Sequence, residues 1–263
     1  MTAAVGMDAD MFAADSALAA AVLPSPNREA RRDGRAIDLL VLHYTGMPDT
    51  TEALARLRDP ASKVSCHYLV REDGGIVQLV PEAERAWHAG LSVWEDETDT
   101  NSRSIGIEIA NSGHDHGYPD FPAAQIAAVI ALGRDIVARR RLRAEHVLAH
   151  SDVAPARKLD PGEKFPWNRL ADQGVGHFVP PQGPLPGPAL APGDHGEAVE
   201  ELQALLALYG YGIEIDGRYD APTAAVVAAF QRHFRPAHVD GVADPGTILT
   251  LRNLLAALPK QRG

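Results

Sequence analysis

The stretch from Gly174 to Gly193 constrains this chain more than any other part of it. Pro180-Pro181, Pro184, Pro186, Pro188 and Pro192 fall inside it, interspersed with glycine. Each proline removes a backbone donor and fixes φ, so neither a helix nor a central strand can run through the segment. It reads as an extended, semi-rigid spacer, and it divides the 263 residues into a large part and a small one. The organisation expected is an N-terminal extension over residues 1–21, a main domain over 22–173, the linker over 174–193 and a small helical domain over 194–259.

In the main domain, strand and helix patterns alternate. Ile37 to His43 contains four consecutive apolar residues before the histidine, the mark of a strand covered on both faces, and Thr45-Gly46 turns the chain out. Thr51 to Arg58 reads as a short helix stopped at Asp59-Pro60. Ser65 to Arg71 and Ile76 to Val80 flank Glu72-Asp73-Gly74-Gly75, a hairpin signal. Ile105 to Ala110 is a strand, with Ile105, Ile107 and Ile109 on one face and Gly106, Glu108 and Ala110 on the other. Pro122 to Arg143 is a long helix, and His146 to His150 is a further strand. The fold class is α/β: a mixed β-sheet flanked by helices, followed by a small C-terminal three-helix domain.

Chemistry concentrates where strands end. His43 and His150 both close apolar strands at a loop. Asp160 follows His150 by ten residues, with Lys158 between them. Two histidines and a carboxylate can complete a catalytic zinc site, which usually takes three protein ligands and keeps the fourth position open. Glu108 lies between two small residues on its face, with the open space a general base needs. Lys158 reads either as a cation that steadies a developing oxyanion or as a surface lysine paired with Asp152 or Glu163.

The run Leu42-His43-Tyr44-Thr45, the strand Ile105-Gly106-Ile107-Glu108-Ile109 and the block from His150 to Asp160 resemble the zinc N-acetylmuramoyl-L-alanine amidases, whose fold is shared by T7-type phage lysozyme and the peptidoglycan recognition proteins. The resemblance covers roughly residues 22 to 170 and is strongest to the branch that includes AmpD and AmiD. It implies a zinc ion held by His43, His150 and Asp160, with Glu108 as base and Lys158 as a catalytic cation. It also implies a substrate groove lined by the segment Ala86-Trp87-His88-Ala89-Gly90, so Trp87 and His88 are expected to touch substrate, with Tyr44 and Asn111 as weaker candidates. One departure from the lysozyme-like relatives is Cys66, which stands where they carry tyrosine before His67-Tyr68. It leaves Glu108 as the base, and Cys66 itself reads as a small core residue. Arg157 is expected to anchor a loop or face solvent. Arg139-Arg140-Arg141 with Arg143 is expected to form a solvated helix end. His114 and His116 are expected to be exposed in a glycine loop rather than to bind a second metal.

After the linker, Asp194 and Glu197 resemble a capping box, followed by Val199, Leu202, Leu205, Leu206 and Tyr209 at helical spacing. An internal repeat follows: Asp216-Gly217 to Thr223 recurs as Asp240-Gly241 to Thr247, 24 residues later. Each copy is a turn running into a helix start. With the Phe230-Gln231 pair, the pattern resembles the peptidoglycan-binding domain 1 family, which implies muropeptide or cell-wall contact. The alternative is a bundle that only stabilises the main domain.

Thirty-five acidic residues against 25 Lys and Arg give a net charge of −10, which argues against nucleic acid as partner. No apolar run reaches the roughly 18 residues of a membrane span, and nothing marks an obligate protein partner. The acidic start Met1 to Asp10 lacks the basic and apolar segments of a secretory signal, and the single cysteine excludes an internal disulfide. The expectation is a cytoplasmic enzyme acting on 1,6-anhydromuramyl peptide fragments in wall recycling, or a periplasmic one if a leader is missing. Two other readings follow from the same residues: a recognition module without catalysis, and a zinc peptidase cutting within the stem peptide.

Overall fold

A computed structural model describes residues 11–259; the acidic start Met1 to Asp10 lies outside the described residues. In chain order the main domain runs β1 (Ala21–Val22), β2 (Arg28–Ala30), β3 (Leu39–Tyr44), α1 (Thr50–Arg58), β4 (Tyr68–Val70), β5 (Ile76–Gln78), β6 (Glu84–Ala86), α2 (Thr100–Arg103), β7 (Ser104–Ile109), α3 (Ala123–Arg140), β8 (Val147–Ala149), α4 (His150–Val153) and α5 (Trp167–Ala171). Six strands make one sheet in the order β1-β5-β4-β7-β3-β8. It is mixed: β3 lies parallel to both β7 and β8, and β4 is parallel to β7 but antiparallel to β5.

The alternation of side chains decides what each sheet face does. Leu40, Leu42, Ile105, Ile107, Ile109 and Val147 are buried against Ile126, Val129 and Ile136 of α3. The other face carries His43, Glu108 and, one step beyond the Leu42–Ala149 pairing, His150. Asp49 caps α1 by accepting from the Glu52 N–H at 2.9 Å. Helix α3 ends at Arg140, with Arg141 in the left-handed conformation as its cap, short of the expected Arg143.

Residues 11–21 are joined to the sheet. Ala20 N–H donates to the Ile76 carbonyl, and the Asp15 carboxylate accepts from Gln78 Nε2 and Glu82 N. The arginine run is also bound more tightly than a solvated helix end. Arg139 and Arg140 both clamp Glu82, which is fully buried, and Arg143 pairs with Glu95. A buried carboxylate needs such partners, and Tyr68 donates a further hydrogen bond at 2.7 Å.

The helical domain is α6 (Glu197–Tyr209), α7 (Ala221–Phe234) and α8 (Pro245–Ala257). Its first helix is capped by Gly196, not by the expected Asp194, whose carboxylate instead accepts from Ala191 N. The repeat seen in sequence has a third member in each copy. Gln203 Oε1 accepts from Asp216 N and Gly217 N while its Nε2 donates to Asp216 Oδ1 and Thr223 Oγ1. Gln231 does the same with Asp240, Gly241 and Thr247. Each glutamine stitches one turn to the helix start that follows it.

The linker is extended but it is not a spacer. Val175 packs beneath α3 against Gly133, His177 Nδ1 lies 2.9 Å from Tyr209 Oη, and Gln182 is held by Thr250 and Arg235. The two domains share one apolar core in which Leu39, Trp94, Leu148 and Val153 pack with Leu206, Tyr211, Phe230 and Phe234. A Cβ on Gly210 would lie 2.5 Å from the Trp94 ring, so glycine permits this close approach.

Candidate active site

Three side chains converge at the C-terminal ends of β3 and β8. His43 Nδ1 and His150 Nδ1 are 2.9 Å apart, and Asp160 Oδ2 lies 3.1 Å from the first and 3.0 Å from the second. All three residues are buried. The loop returning from α4 is pinned so that Asp160 arrives here: Ser151 N–H donates to the Asp160 carbonyl, and Arg157 Nη2 donates to the carbonyls of Ala89 and Leu91. Arg157 is thus a loop anchor. Beyond Asp160, Gly162 passes so close to Tyr118 that a Cβ would sit 2.3 Å from the hydroxyl.

The surrounding hydrogen bonds set which ring nitrogens face inward. His150 Nε2 lies 3.0 Å from the Ala89 carbonyl, which can only accept, and the neutral tautomer that donates there turns a bare Nδ1 inward. His43 Nε2 lies 3.0 Å from His88 Nδ1, and His88 Nε2 lies 3.1 Å from Ser104 Oγ. In the tautomer that leaves His43 Nδ1 bare, each outward N–H in this chain has an acceptor. Three lone pairs then face one another, a cluster that calls for a cation at its centre. Two imidazoles and a carboxylate suit zinc. Burial foremost, and then the neighbouring His150, pull the His43 pKa down to about 4, so the ring stays neutral as a ligand must. Although burial opposes its ionisation, Asp160 is held well below the usual carboxylate range by the two histidines.

Glu108 stands opposite His43 in the β3–β7 register. Its Oε2 is buried without a hydrogen-bond partner among the described residues. Burial and the nearby Asp160 push its pKa well above the ordinary value, and Lys158 opposes them. A buried, unpaired carboxylate is costly and is characteristic of a site that uses it. Lys158 makes no ion pair among the described residues, so neither Asp152 nor Glu163 occupies it.

These groups open into a cleft of about 590 Å³, walled by Tyr44, Trp87, His114, Arg157 and Lys158. Trp87 is half-buried there with its Nε1 unpartnered. Two residues expected at the substrate are engaged by the protein itself. His88 lines the cleft but is 8% exposed, with both ring nitrogens engaged by His43 and Ser104. Gly106 makes room for that ring, since a Cβ there would lie 2.5 Å from it. Asn111 is buried, and its amide ties the Gly113 N–H to the Pro119 carbonyl, so it shapes a loop instead of facing the cleft. His114 is more than the exposed loop residue expected. Gly113 and Gly117, both at positive φ, fold its loop inward, where the ring stacks on Tyr118 and bonds Tyr44 Oη and Glu163. The flanking glycines are the signal for this in the sequence. For Ser104 the sequence carries none.

Residues 33–163 match the N-acetylmuramoyl-L-alanine amidase family, and residues 195–251 match a peptidoglycan binding domain. N-acetylmuramoyl-L-alanine amidase AmiD of Escherichia coli is 43% identical over 236 residues, covering 84% of this chain and 83% of AmiD. The 1,6-anhydro-N-acetylmuramyl-L-alanine amidase AmpD of Escherichia coli is 37% identical over 166 residues, covering 56% of this chain and 88% of AmpD. Among solved structures, the complex of Escherichia coli AmiD with anhydro-N-acetylmuramic acid-L-Ala-D-γ-Glu-L-Lys superposes with a TM-score of 0.72 at 39% identity, covering 87% of this chain and 92% of AmiD. AmpDh3 of Pseudomonas aeruginosa in complex with anhydromuramic pentapeptide gives 0.70 at 31% identity, covering 87% and 95%.

Proposed function

This chain belongs to the N-acetylmuramoyl-L-alanine amidase family, and from that membership we propose that His43, His150 and Asp160 hold a catalytic zinc ion and that Glu108 and Lys158 act on its substrate. The chain is an amidase that hydrolyses the bond between the lactyl group of N-acetylmuramic acid and L-alanine. The substrate form proposed is the 1,6-anhydromuramyl peptide, which AmpD is named for and which is bound in the AmiD and AmpDh3 complexes. Catalysis is assigned to residues 22–173 and wall contact to residues 194–259, the region matching a peptidoglycan binding domain.

Zinc bound at these three residues supplies Lewis acidity and brings the pKa of a water toward ~7. Glu108 lines the cleft and its carboxylate has no hydrogen-bond partner among the described residues, so it is the group placed to accept a proton from the attacking water. The same carboxyl, once protonated and with its elevated pKa, can deliver the proton to the departing amine. Lys158 faces the cleft without an ion pair among the described residues and meets the charge that develops on the amide carbonyl oxygen. Trp87 and Tyr44 line the walls against which sugar and peptide lie, while His88 orients His43 and passes its own N–H to Ser104. Among the described residues no helix is long and apolar enough to cross a membrane.

The observation that carries this reading is the lone-pair triangle of His43, His150 and Asp160 with the unpartnered Glu108 carboxylate on the same sheet face. Mass spectrometry of the products from a defined anhydromuramyl tripeptide tests it. Free anhydromuramic acid and intact tripeptide are expected. A shortened peptide still joined to the sugar would make the enzyme a stem peptidase, and binding without zinc-dependent cleavage would make it a recognition module. Fractionation of cells decides whether those fragments are met in the cytoplasm or the periplasm.

A further inference from the structure

Asp152 lies two residues beyond the ligand His150, in the single turn of α4, and is fully buried. It accepts three hydrogen bonds. Ala149 N–H reaches Oδ2 at 2.7 Å from within the catalytic domain. The other two come from the helical domain: Tyr211 Oη–H donates to Oδ1 at 2.8 Å and His233 Nδ1–H to Oδ2 at 2.7 Å. The carboxylate can only accept, so the directions are fixed. Both donors are themselves held. The His233 ring is sandwiched between Trp167, at 3.7 Å, and Phe234, at 3.8 Å. Tyr211 packs edge-on to Trp94 and bridges its backbone.

We propose that Tyr211 and His233 are positioning residues for the metal site, latching the α4 turn through Asp152 so that His150 and Asp160 stay in register with His43. The latch reaches both the ligand that opens that turn and the ligand tied to it. His150 follows Ala149, whose N–H Asp152 holds, and Ser151 N–H donates to the Asp160 carbonyl. The aim of the His150 ring is set separately by the Ala89 carbonyl, so the latch fixes where the ring starts and Ala89 fixes where it points. A buried carboxylate with two of its three donors removed is poorly satisfied and draws in water or swings out. In this chain, then, the helical domain is a structural part of the catalytic centre in addition to any contact it makes with the wall. Groups that hydrogen-bond a metal ligand directly change metal affinity by about 10- to 100-fold, and a latch acting through the backbone beside the ligand is expected at the lower end of that range.

The inference rests on the assignment of His43, His150 and Asp160 as ligands. Its test is zinc affinity of the full chain, by competition with a chromophoric chelator, in wild type, Tyr211→Phe, His233→Phe and the double variant. Both substitutions keep an aromatic ring and remove the donor. The double variant is expected to bind zinc at least about tenfold more weakly, and the cobalt-substituted protein is expected to show a shifted visible spectrum. Gln231→Ala is the control: it lies on α7 and removes the stitching of the second repeat without touching Asp152. It should lower Tm yet leave zinc affinity and the cobalt spectrum unchanged. Wild-type affinity and spectrum in the double variant overturn the latch, as does an equal loss of zinc in Gln231→Ala. His150→Ala separates the two levels: zinc retained there overturns the ligand assignment and the latch together, whereas zinc lost there but unaffected in the double variant overturns the latch alone.

Discussion

Two clusters in this molecule are built from the same residue types, and only one of them calls for a metal. His43, His150 and Asp160 form the first; Asp38, Glu95 and His146 form the second, and each trio offers ligand atoms within 4.8 Å of one another. In the second, arginines already supply the positive charge. Arg103 donates to both Asp38 oxygens and to Glu95, and Arg143 donates to Glu95. Hydrogen bonding from His146 and Arg103 holds Glu95 down at about 2 even though it keeps contact with water. In the first, no arginine or lysine makes an ion pair with the carboxylate among the described residues, every member is buried, and the outward ring nitrogens are all spoken for. Ligand-type residues in proximity therefore do not make a metal site. What distinguishes one is lone pairs facing inward with no protein cation to meet them.

The largest effect that would break the contrast is on the first cluster. His150→Ala should reduce bound zinc from one per chain to none and turnover to background, read by metal analysis and product assay on the same sample. Lys158→Met should lower kcat by about 100-fold with zinc content unchanged; a lysine that merely sits on the surface would leave kcat alone. In the second cluster, Arg103→Met should cost about 2 kcal/mol of stability, measured by urea unfolding, with zinc content still one per chain. Asp38 and Glu95 remain partly hydrated, which keeps this below the cost of breaking a fully buried pair. A change in zinc content there would mean that the two clusters are not independent.

The smallest effect is the most diagnostic of strain. The folded-state pKa of Glu108 is raised, chiefly by burial. Its contribution to stability is therefore full below the ordinary glutamate pKa of about 4.3 and is lost as the pH rises through the higher folded value. Glu108→Gln removes that loss. The metal-free variant should melt a few degrees above wild type near neutral pH, and the difference should shrink as the pH falls toward 4. A lower Tm for the variant at every pH would show that the carboxylate has a stabilising partner.

The difference between the clusters is partly legible in the amino-acid sequence. His43 and His150 can be read because each ends a run of apolar residues, and Glu108 because strand alternation leaves it beside Gly106 and Ala110. Asp160 follows from its distance to His150. What periodicity cannot carry is the approach of segments far apart in sequence. His88 reads as a groove residue with no sign of its contact to His43, which the β3 strand places over it, and His114 reads as a loop residue until Gly113 and Gly117 turn it onto Tyr118. Asn111 is polar and adjacent to the site, yet it is spent on its own loop. The prolines of residues 174–193 correctly forbid helix and strand, but they say nothing of the surface on which an extended segment lies. For that reason the shared core of the two domains, and the reach of Tyr211 and His233 to Asp152, have no sequence signature.

The role of the whole site turns on Glu108 being a base beside the metal and not a ligand to it. Zinc content and turnover of Glu108→Gln, measured on one preparation against wild type, test this most directly. One zinc per chain in both proteins and no amidase product from the variant are the expected result; loss of zinc along with activity would place Glu108 in the coordination set and contradict it.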